Sequence, residues 1–302
     1  MKKGHKVGAA IVTFNRLNLL KQAIRAVKAQ TRTPDELIIV NNGSTDGTTE
    51  WLQTQSSVTV INQTNLGGAG GFQTAIYIAW QRNLDWIWLM DDDGFPHKNA
   101  LRMLCGHLAD DISALCSVVI NLDQPALLAF SYPKLDSNGF PVILFARKRA
   151  LRTLAEIRRF TKGNLISGVA NFFNGALINL NLAKKIGNVD TRFFIYGDEV
   201  DFFYRLKKVG RILTVLSSYH FHPRYSGIKL PDWKAYYALR NSLYINSVHL
   251  NRPLLRNAYT IAASLSTWLI QGKSPRLFLS AVRDGLTKRL GIRSIPGGPY
   301  HK

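Results

Sequence analysis

Apolar and polar positions alternate in two registers along the first hundred residues. The runs "KVGAAIVTF", "ELIIVNN", "SVTVIN" and "DWIWLM" read as strands, while "LNLLKQAIRAVKAQ" and "FQTAIYIAWQRN" repeat their apolar residues at helical spacing. Strands separated by crossover helices predict a parallel, doubly wound α/β sheet. Ligands of such a sheet gather beyond the carboxyl ends of its strands. There the chain carries three polar segments, "TFNR", "NNGSTDGT" and "DDDG", which would converge on one crevice. From about residue 115 to 180 the periodicity weakens, and beyond "YSGIKLPDW" it turns helical to the end, with no internal repeat.

A chain of 302 residues is long enough to bury a sizeable core in one large domain or two small ones. Its 46% hydrophobic content excludes a disordered polymer. Thirty-nine basic against 19 acidic residues give a net charge of +20, which calls for an anionic partner: nucleotide phosphates, nucleic acid or an acidic membrane surface. Residues 146–162 carry +6 of it and residues 252–302 carry +8, either as solvated faces or as anion contacts. Cys105 and Cys116 are the only cysteines and stand in no metal-binding spacing, so neither a zinc site nor a disulfide framework is expected. The basic N-terminus runs into an apolar stretch too short for a signal peptide, and reads as the first strand. The apolar residues 258–270 fall short of the roughly 20 that a spanning helix needs, so no membrane crossing is expected.

The acids that end "DWIWLMDDDG" carry the sharpest chemical signal. In an extended segment Asp91 and Asp93 point the same way. With no basic neighbour in sequence they would repel unless a cation sat between them, and Mn²⁺ or Mg²⁺ sharing substrate phosphate oxygens suits that seat. A turn with Asp93 capping a helix is the plainer alternative, but it needs one acid rather than three. The glycines of "NLGGAGGF", residues 65–72, permit close backbone approach ahead of a helix N-terminus that favours negative charge. Their spacing does not fit the GxGxxG dinucleotide fingerprint, and a plain turn would explain them as well. In "YGDEVDFFYR", Asp198 and Asp201 resemble a capping box and Asp201 with Arg205 an i,i+4 pair. Glu199 is left without a structural duty, free to act as a general base. His220 and His222 share a face if extended, either as a metal ligand or as ordinary histidines.

In their order, "IVTFNR", "ELIIVNNGSTDGT", "NLGGAGGF", "WIWLMDDDG", "FFNGALI", "GNVDTRFFIYGDEVDFFYRLKKVGR" and "YYALRN" resemble the family 2 glycosyltransferases of GT-A fold. The pairing of "NLGGAGGF" with "WIWLMDDDG" is most similar to the galactofuranosyltransferase branch, and the resemblance spans roughly residues 7 to 245. It implies a GT-A nucleotide-sugar-binding fold, a Rossmann-like mixed sheet flanked by helices, over residues 1–228. A basic helical C-terminal region follows over 229–302. Position by position it implies Thr13, Arg16, Asn41 and Asn42 around the uracil and ribose of a UDP-sugar, and Asn65, Gly67 and Gly68 at its phosphates or sugar. Asp91 and Asp93 match the pair that holds Mn²⁺ or Mg²⁺, Asp92 falls near the ribose, and His222, followed by Ser226, matches a late metal-ligand histidine. Glu199, second acid of its pair, inherits the catalytic base, with Asp198 in reserve. Two positions depart from the pattern: Asn41 stands where the family most often has Asp, and Glu199 is one methylene longer than an Asp.

The activity implied is that of a metal-dependent, inverting hexosyltransferase. It would move galactofuranose from UDP-galactofuranose onto a lipid-linked glycan in cell-surface polysaccharide (O-antigen or cell-wall) synthesis. A rhamnosyltransferase or other hexosyltransferase would keep the fold and change the donor. A non-enzymatic polyanion binder would use the +20 charge but leave the acids unexplained, so no nucleic-acid partner is expected. A peripheral position on the cytoplasmic membrane's inner face is expected from Ser264, Trp268 and their apolar neighbours. Flanked by Arg252, Arg256, Lys273 and Arg276, they read as an amphipathic helix on an anionic surface.

Overall fold

The computed structural model describes residues 4–143, 150–159, 161, 163–223, 230–293 and 295. Its first half runs β1 (Val7–Thr13), α1 (Leu17–Lys28), β2 (Glu36–Asn41), α2 (Thr48–Gln53), β3 (Thr59–Asn62), α3 (Gly67–Gln81) and β4 (Trp86–Asp91). The four strands are parallel, in the order β3-β2-β1-β4. Successive side chains of a strand point to opposite faces, so each strand feeds two cores. Ala10, Val12, Ile38, Val40, Ile87 and Leu89 pack with Phe72, Ala75, Ile76 and Ala79 of α3. Ala9, Ile11, Leu37, Ile39, Trp86 and Trp88 pack with Leu20, Ala23, Ile24 and Val27 of α1. α3 begins at Gly67, so the glycine run forms its opening turn rather than a loop ahead of it.

The second half departs from a purely parallel sheet. It runs β5 (Phe95–Pro96), α4 (Ala100–Cys105), β6 (Ile112–Asn121), β7 (Leu127–Tyr132), β8 (Leu151–Thr153), α5 (Leu154–Arg159), β9 (Leu165–Ser167), β10 (Asn174–Asn179), α6 (Leu180–Ile186), α7 (Asp198–Leu206) and β11 (Arg211–His222). β10 inserts antiparallel between β4 and β6, which pairs in parallel with β11, giving a mixed sheet. Every residue of β6 is buried, so the strand lacks the alternation that flags a half-exposed one. Of the basic segment 146–162, Arg158 and Arg159 end α5, while 147–149 and Lys162 lie outside the described residues.

Three helices close the fold: α8 (Asp232–His249), α9 (Pro253–Ile270) and α10 (Pro275–Leu286). Tyr236, Tyr237, Leu243, Trp268, Phe278 and Ala281 form a further core with Phe194, which belongs to the loop ahead of α7. The helical region is thus pinned directly onto the loop that leads into Asp198 and Glu199. The boundary expected at 228/229, like Ser226, lies outside the described residues. No helix among the described residues is long and apolar enough to cross a membrane.

The amphipathic reading of α9 needs correction in three positions. Trp268 is buried edge-on against Phe278, with ring centroids 5.4 Å apart, so it belongs to the core. Arg256 is buried with its guanidinium on the carbonyls of Asn251 and Pro141, at 2.8 and 2.7 Å. Lys273 is buried with its ammonium on the Leu230 carbonyl. The exposed apolar residues are instead Leu254, Leu255, Tyr259, Leu265, Leu269 and Ile270, and α9 carries no charged residue after Arg256.

Candidate active site

β1, β2 and β4 end at one edge of the sheet, with Thr13 beside Asn41 and Val12 beside Asp91. The Thr13 hydroxyl donates to Asp92 Oδ2 at 2.7 Å. Arg16 Nη1 donates to Asp92 Oδ1 at 3.0 Å and to Asp93 Oδ2 at 2.7 Å. The acids therefore do have a basic neighbour, contrary to their reading in sequence. It comes from the loop after β1, more than seventy residues earlier, where spacing along the chain cannot reveal it. Asp92 is 2% exposed with both oxygens engaged by protein, so it braces β1 to β4.

Asp91 is left to face the crevice. Burial and the negative charges of Asp93, Asp92 and Glu199 push its carboxyl well above the usual range, against the pull of Arg16. His222 Nε2 lies 3.1 Å from Asp93 Oδ1, and its Nδ1 is 2.6 Å from the Pro223 carbonyl. His220 takes the other path: it is wholly buried against Gly94, and burial together with His222 pushes its imidazole down to about 3. Of the two histidines, His222 is the one in direct contact with an acid, while His220 is a neutral core residue that the charge of Asp93 also reaches. Among the described residues no three His, Cys, Asp or Glu side chains converge as a complete metal cage. The repelling pair Asp91 and Asp93 fits a hard divalent cation of the kind that uses one or two carboxylates and takes further oxygens from a substrate.

Asn42 joins the β2 loop to the glycine-rich turn: its Oδ1 accepts from Gln63 Nε2 (2.9 Å) and Leu66 N (3.1 Å), and its Nδ2 donates to the Gly67 carbonyl (2.9 Å). Asn65 Oδ1 accepts from Gly67 N at 2.9 Å. Gly67 has φ +74°, and a Cβ there would lie 2.1 Å from the Phe194 carbonyl, so only glycine fits. Gly68 faces open space at the head of α3. Asn41 donates to Thr49 Oγ1 and Asn62 Oδ1, both at 2.8 Å, and accepts from Ser44 N at 3.1 Å. A carboxylate could not make those two donations, which explains Asn at this position physically.

The loop before α7 is strained, with φ of +67° at Phe194 and +62° at Tyr196, and Gly197 at +84°. Asn241 of α8 holds it by donating to the carbonyls of Phe193 (3.2 Å), Ile195 (2.9 Å) and Tyr196 (2.6 Å). Arg240, fully buried, donates to the carbonyls of Arg192 (3.2 Å), Phe193 (3.1 Å) and Gly291 (2.6 Å). Sequence reasoning gives these two residues of "YYALRN" no role. An Arg-Asn pair inside a run of tyrosines and aliphatics is the available signal. Phe14, 42% exposed just past the end of β1, likewise escapes a reading from sequence.

The capping box expected at Asp198 and Asp201 does not form, because Gly197 begins the helix without a side-chain cap. Asp201 instead pairs with Arg205 Nε and His249 Nε2, each at 2.7 Å. Asp198 is 4% exposed; burial, the charge of Glu199 and their mutual hydrogen bond push its carboxyl well above the usual range. Burial also raises Glu199, while backbone N–H groups and the hydrogen bond from Asp198 pull it down. Burial thus disfavours the charge on both members of this hydrogen-bonded pair, and on Asp198 the more strongly. A cleft of about 310 Å³ opens beside Glu199, lined by Tyr196, Asn241, Ser242, Ile245 and Asn246.

Residues 9–160 match the family described as glycosyl transferase family 2. The chain is 32% identical over 317 aligned positions to the galactofuranosyltransferase GlfT1 of Mycobacterium tuberculosis (strain CDC 1551 / Oshkosh), covering 97% of each. It is 34% identical to GlfT1 of Mycolicibacterium smegmatis, covering 72% of this chain and 70% of that one. Among solved structures, GalNAc-T7 with UDP, GalNAc and Mn²⁺ superposes with a TM-score of 0.55 at 15% identity, over 96% of this chain and 58% of that one. The mannosyltransferase PcManGT of Pyrobaculum calidifontis, with GDP-Man and Mn²⁺, gives 0.54 at 14% identity, over 95% and 81%. With its parallel half-sheet, its inserted antiparallel strand and these relatives, the chain belongs to glycosyl transferase family 2 and is a glycosyltransferase of GT-A fold.

Proposed function

We propose that the protein is a metal-dependent, inverting galactofuranosyltransferase that uses UDP-galactofuranose. The observation that carries this reading is the placement of Glu199 within electrostatic reach of Asp91, beside an open cleft. Asp91 and Asp93, with His222 against Asp93, would hold Mn²⁺ or Mg²⁺. Bound there, the cation would neutralise charge on the donor diphosphate. Gly68 leaves room for the diphosphate at the head of α3, and Phe14 offers a flat face to the base. An acceptor hydroxyl in the cleft gives its proton to Glu199 while its oxygen bonds to the anomeric carbon from the face opposite UDP. The carbon–oxygen bond to the diphosphate breaks, and its electron pair departs with UDP. One displacement inverts the configuration.

The donor is supported by the two GlfT1 relatives, and the acceptor by the helical region over residues 229–302, which follows the catalytic domain expected over residues 1–228. Leu254 and Ile270 are each 86% exposed and Leu269 69%, while Arg252 and Arg276 are exposed at either end of α9. Such a surface suits the inner face of a cytoplasmic membrane, where a lipid-linked glycan would be extended for cell-surface polysaccharide. Asn246, on the cleft wall, donates to Thr260 of α9 at 3.0 Å, so α9 is joined directly to the cleft wall. The test is nucleotide diphosphate release with Mn²⁺, a lipid-like glycan acceptor and UDP-galactofuranose, UDP-galactopyranose or dTDP-rhamnose. Release with UDP-galactofuranose alone, abolished in Asp93→Ala, is expected. Release only with dTDP-rhamnose would make the protein a rhamnosyltransferase of the same fold.

A further inference from the structure

We infer that Lys234 is a diphosphate-binding residue of the donor site, reaching it from the helical C-terminal region. The inference rests on the nucleotide-sugar reading above and adds a residue that lies outside the sequence motifs.

Lys234 lies half-buried in the first turn of α8. That turn is fixed over the crevice: Trp233 leans on Phe194 with ring centroids 6.4 Å apart, and the Phe194 carbonyl accepts from Ala69 N at 3.4 Å, in the opening turn of α3. The neighbouring acid is directed elsewhere, since Asp232 bonds Lys273 Nζ (3.4 Å) and Ser274 N (3.2 Å) at the head of α10. Among the described residues Lys234 makes no ion pair; its ammonium stands 5.4 Å from the centre of the Trp233 ring. It also lies near enough to Arg16 for the two cations to repel, which, after burial, lowers its pKa. Arg16 is itself committed to Asp92 and Asp93.

A half-buried cation without a carboxylate, beside a second cation, costs free energy unless an anion joins the cluster. The crevice offers that anion a place. Gly68 leaves it open, and the amide end of α3, a helix of 15 residues, favours negative charge there. A diphosphate there would be the anion that joins Lys234 and Arg16. A lysine on the diphosphate meets charge that grows as the sugar–phosphate bond breaks, so its contact would strengthen in the transition state.

The experiment measures UDP and UMP binding calorimetrically with Mn²⁺ for wild type, Lys234→Met and Lys234→Arg, together with kcat and thermal unfolding. Losing one charge-assisted contact should weaken UDP binding by about tenfold or more. UMP, which lacks the β-phosphate, should change less than about twofold, and kcat should fall together with UDP affinity. Lys234→Arg should recover most of the binding. An unchanged unfolding midpoint in Lys234→Met would show that these losses are local. Equal UDP affinity in wild type and Lys234→Met would overturn the inference while leaving the nucleotide-sugar reading intact. A wild type that binds neither nucleotide would overturn both.

Discussion

Replacing Glu199 by Gln keeps the side chain's shape and removes only its charge and basicity. The Gln oxygen can still accept the backbone and Asp198 hydrogen bonds that Glu199 accepts, so little structure is lost. Repulsion with Asp91 disappears as well, which makes the folded state no less stable. The cost falls on the barrier. A positioned general base contributes about 10²–10⁴-fold, or about 3–5 kcal/mol at roughly 1.4 kcal/mol per tenfold. Glu199→Gln should therefore lower kcat by about 10²-fold or more while the unfolding midpoint holds or rises. Asp198→Asn should stay within about tenfold of wild type, because an Asn amide can donate to Glu199 as a protonated Asp198 would. Steady-state UDP release and thermal unfolding on the three proteins decide the matter. A Glu199→Gln enzyme within tenfold of wild type, or an Asp198→Asn enzyme losing as much as Glu199→Gln, would refute the assignment of base and proton.

Asn241→Ala strips a donor from three carbonyls of the strained loop before α7, and should lower kcat and destabilise by about 1–3 kcal/mol, read by activity and denaturant unfolding. Gly67→Ala forces φ +74° on a residue whose Cβ meets the Phe194 carbonyl, and should cost about 2 kcal/mol or more in the same unfolding assay. Burial raises Glu199 above its ordinary 4.5, so kcat/KM should fall on acidification at a higher pH than an ordinary glutamate would impose. Asp198, also raised, stabilises the fold below its unfolded value of 3.8, and that contribution is lost as pH climbs through the folded value. Asp198→Asn should accordingly gain stability relative to wild type between acidic and neutral pH, measured by unfolding at each pH. Leu269→Glu with Ile270→Glu should abolish pelleting with anionic vesicles while leaving UDP binding unchanged; pelleting equal to wild type would count against membrane contact.

The parallel half of the sheet is legible in sequence because its strands are continuous apolar runs bounded by polar strand ends. The inserted antiparallel β10 is not, because its partners β4 and β6 are each buried along almost their whole length and carry no sign of direction. Asp91, Asp93 and Glu199 stand out by chemistry, as acids in a basic chain without structural partners nearby in sequence. The reach of Arg16 across to Asp92 and Asp93 is invisible there, since it joins positions 76 and 77 residues apart. For the same reason Asp201, whose partner His249 lies 48 residues on, reads in sequence as half of a local capping box. Polar residues with long-range bonds inside an apolar helix, such as Arg240 and Asn241, leave only their incongruity as a clue. Exposure is the least legible property: Trp268 reads as a membrane anchor and is core, whereas Leu269 and Ile270 beside it are the exposed pair.

The most direct measurement is the anomeric configuration of the first-formed product, followed by proton NMR with UDP-galactofuranose, a lipid-like acceptor and Mn²⁺, and repeated after chelation. The expected result is a glycoside of configuration opposite to the donor, formed with the metal and absent without it. A product that retains the donor's configuration, or one that forms equally after chelation, would contradict single displacement by a hydroxyl activated at Glu199 across from a metal held by Asp91 and Asp93.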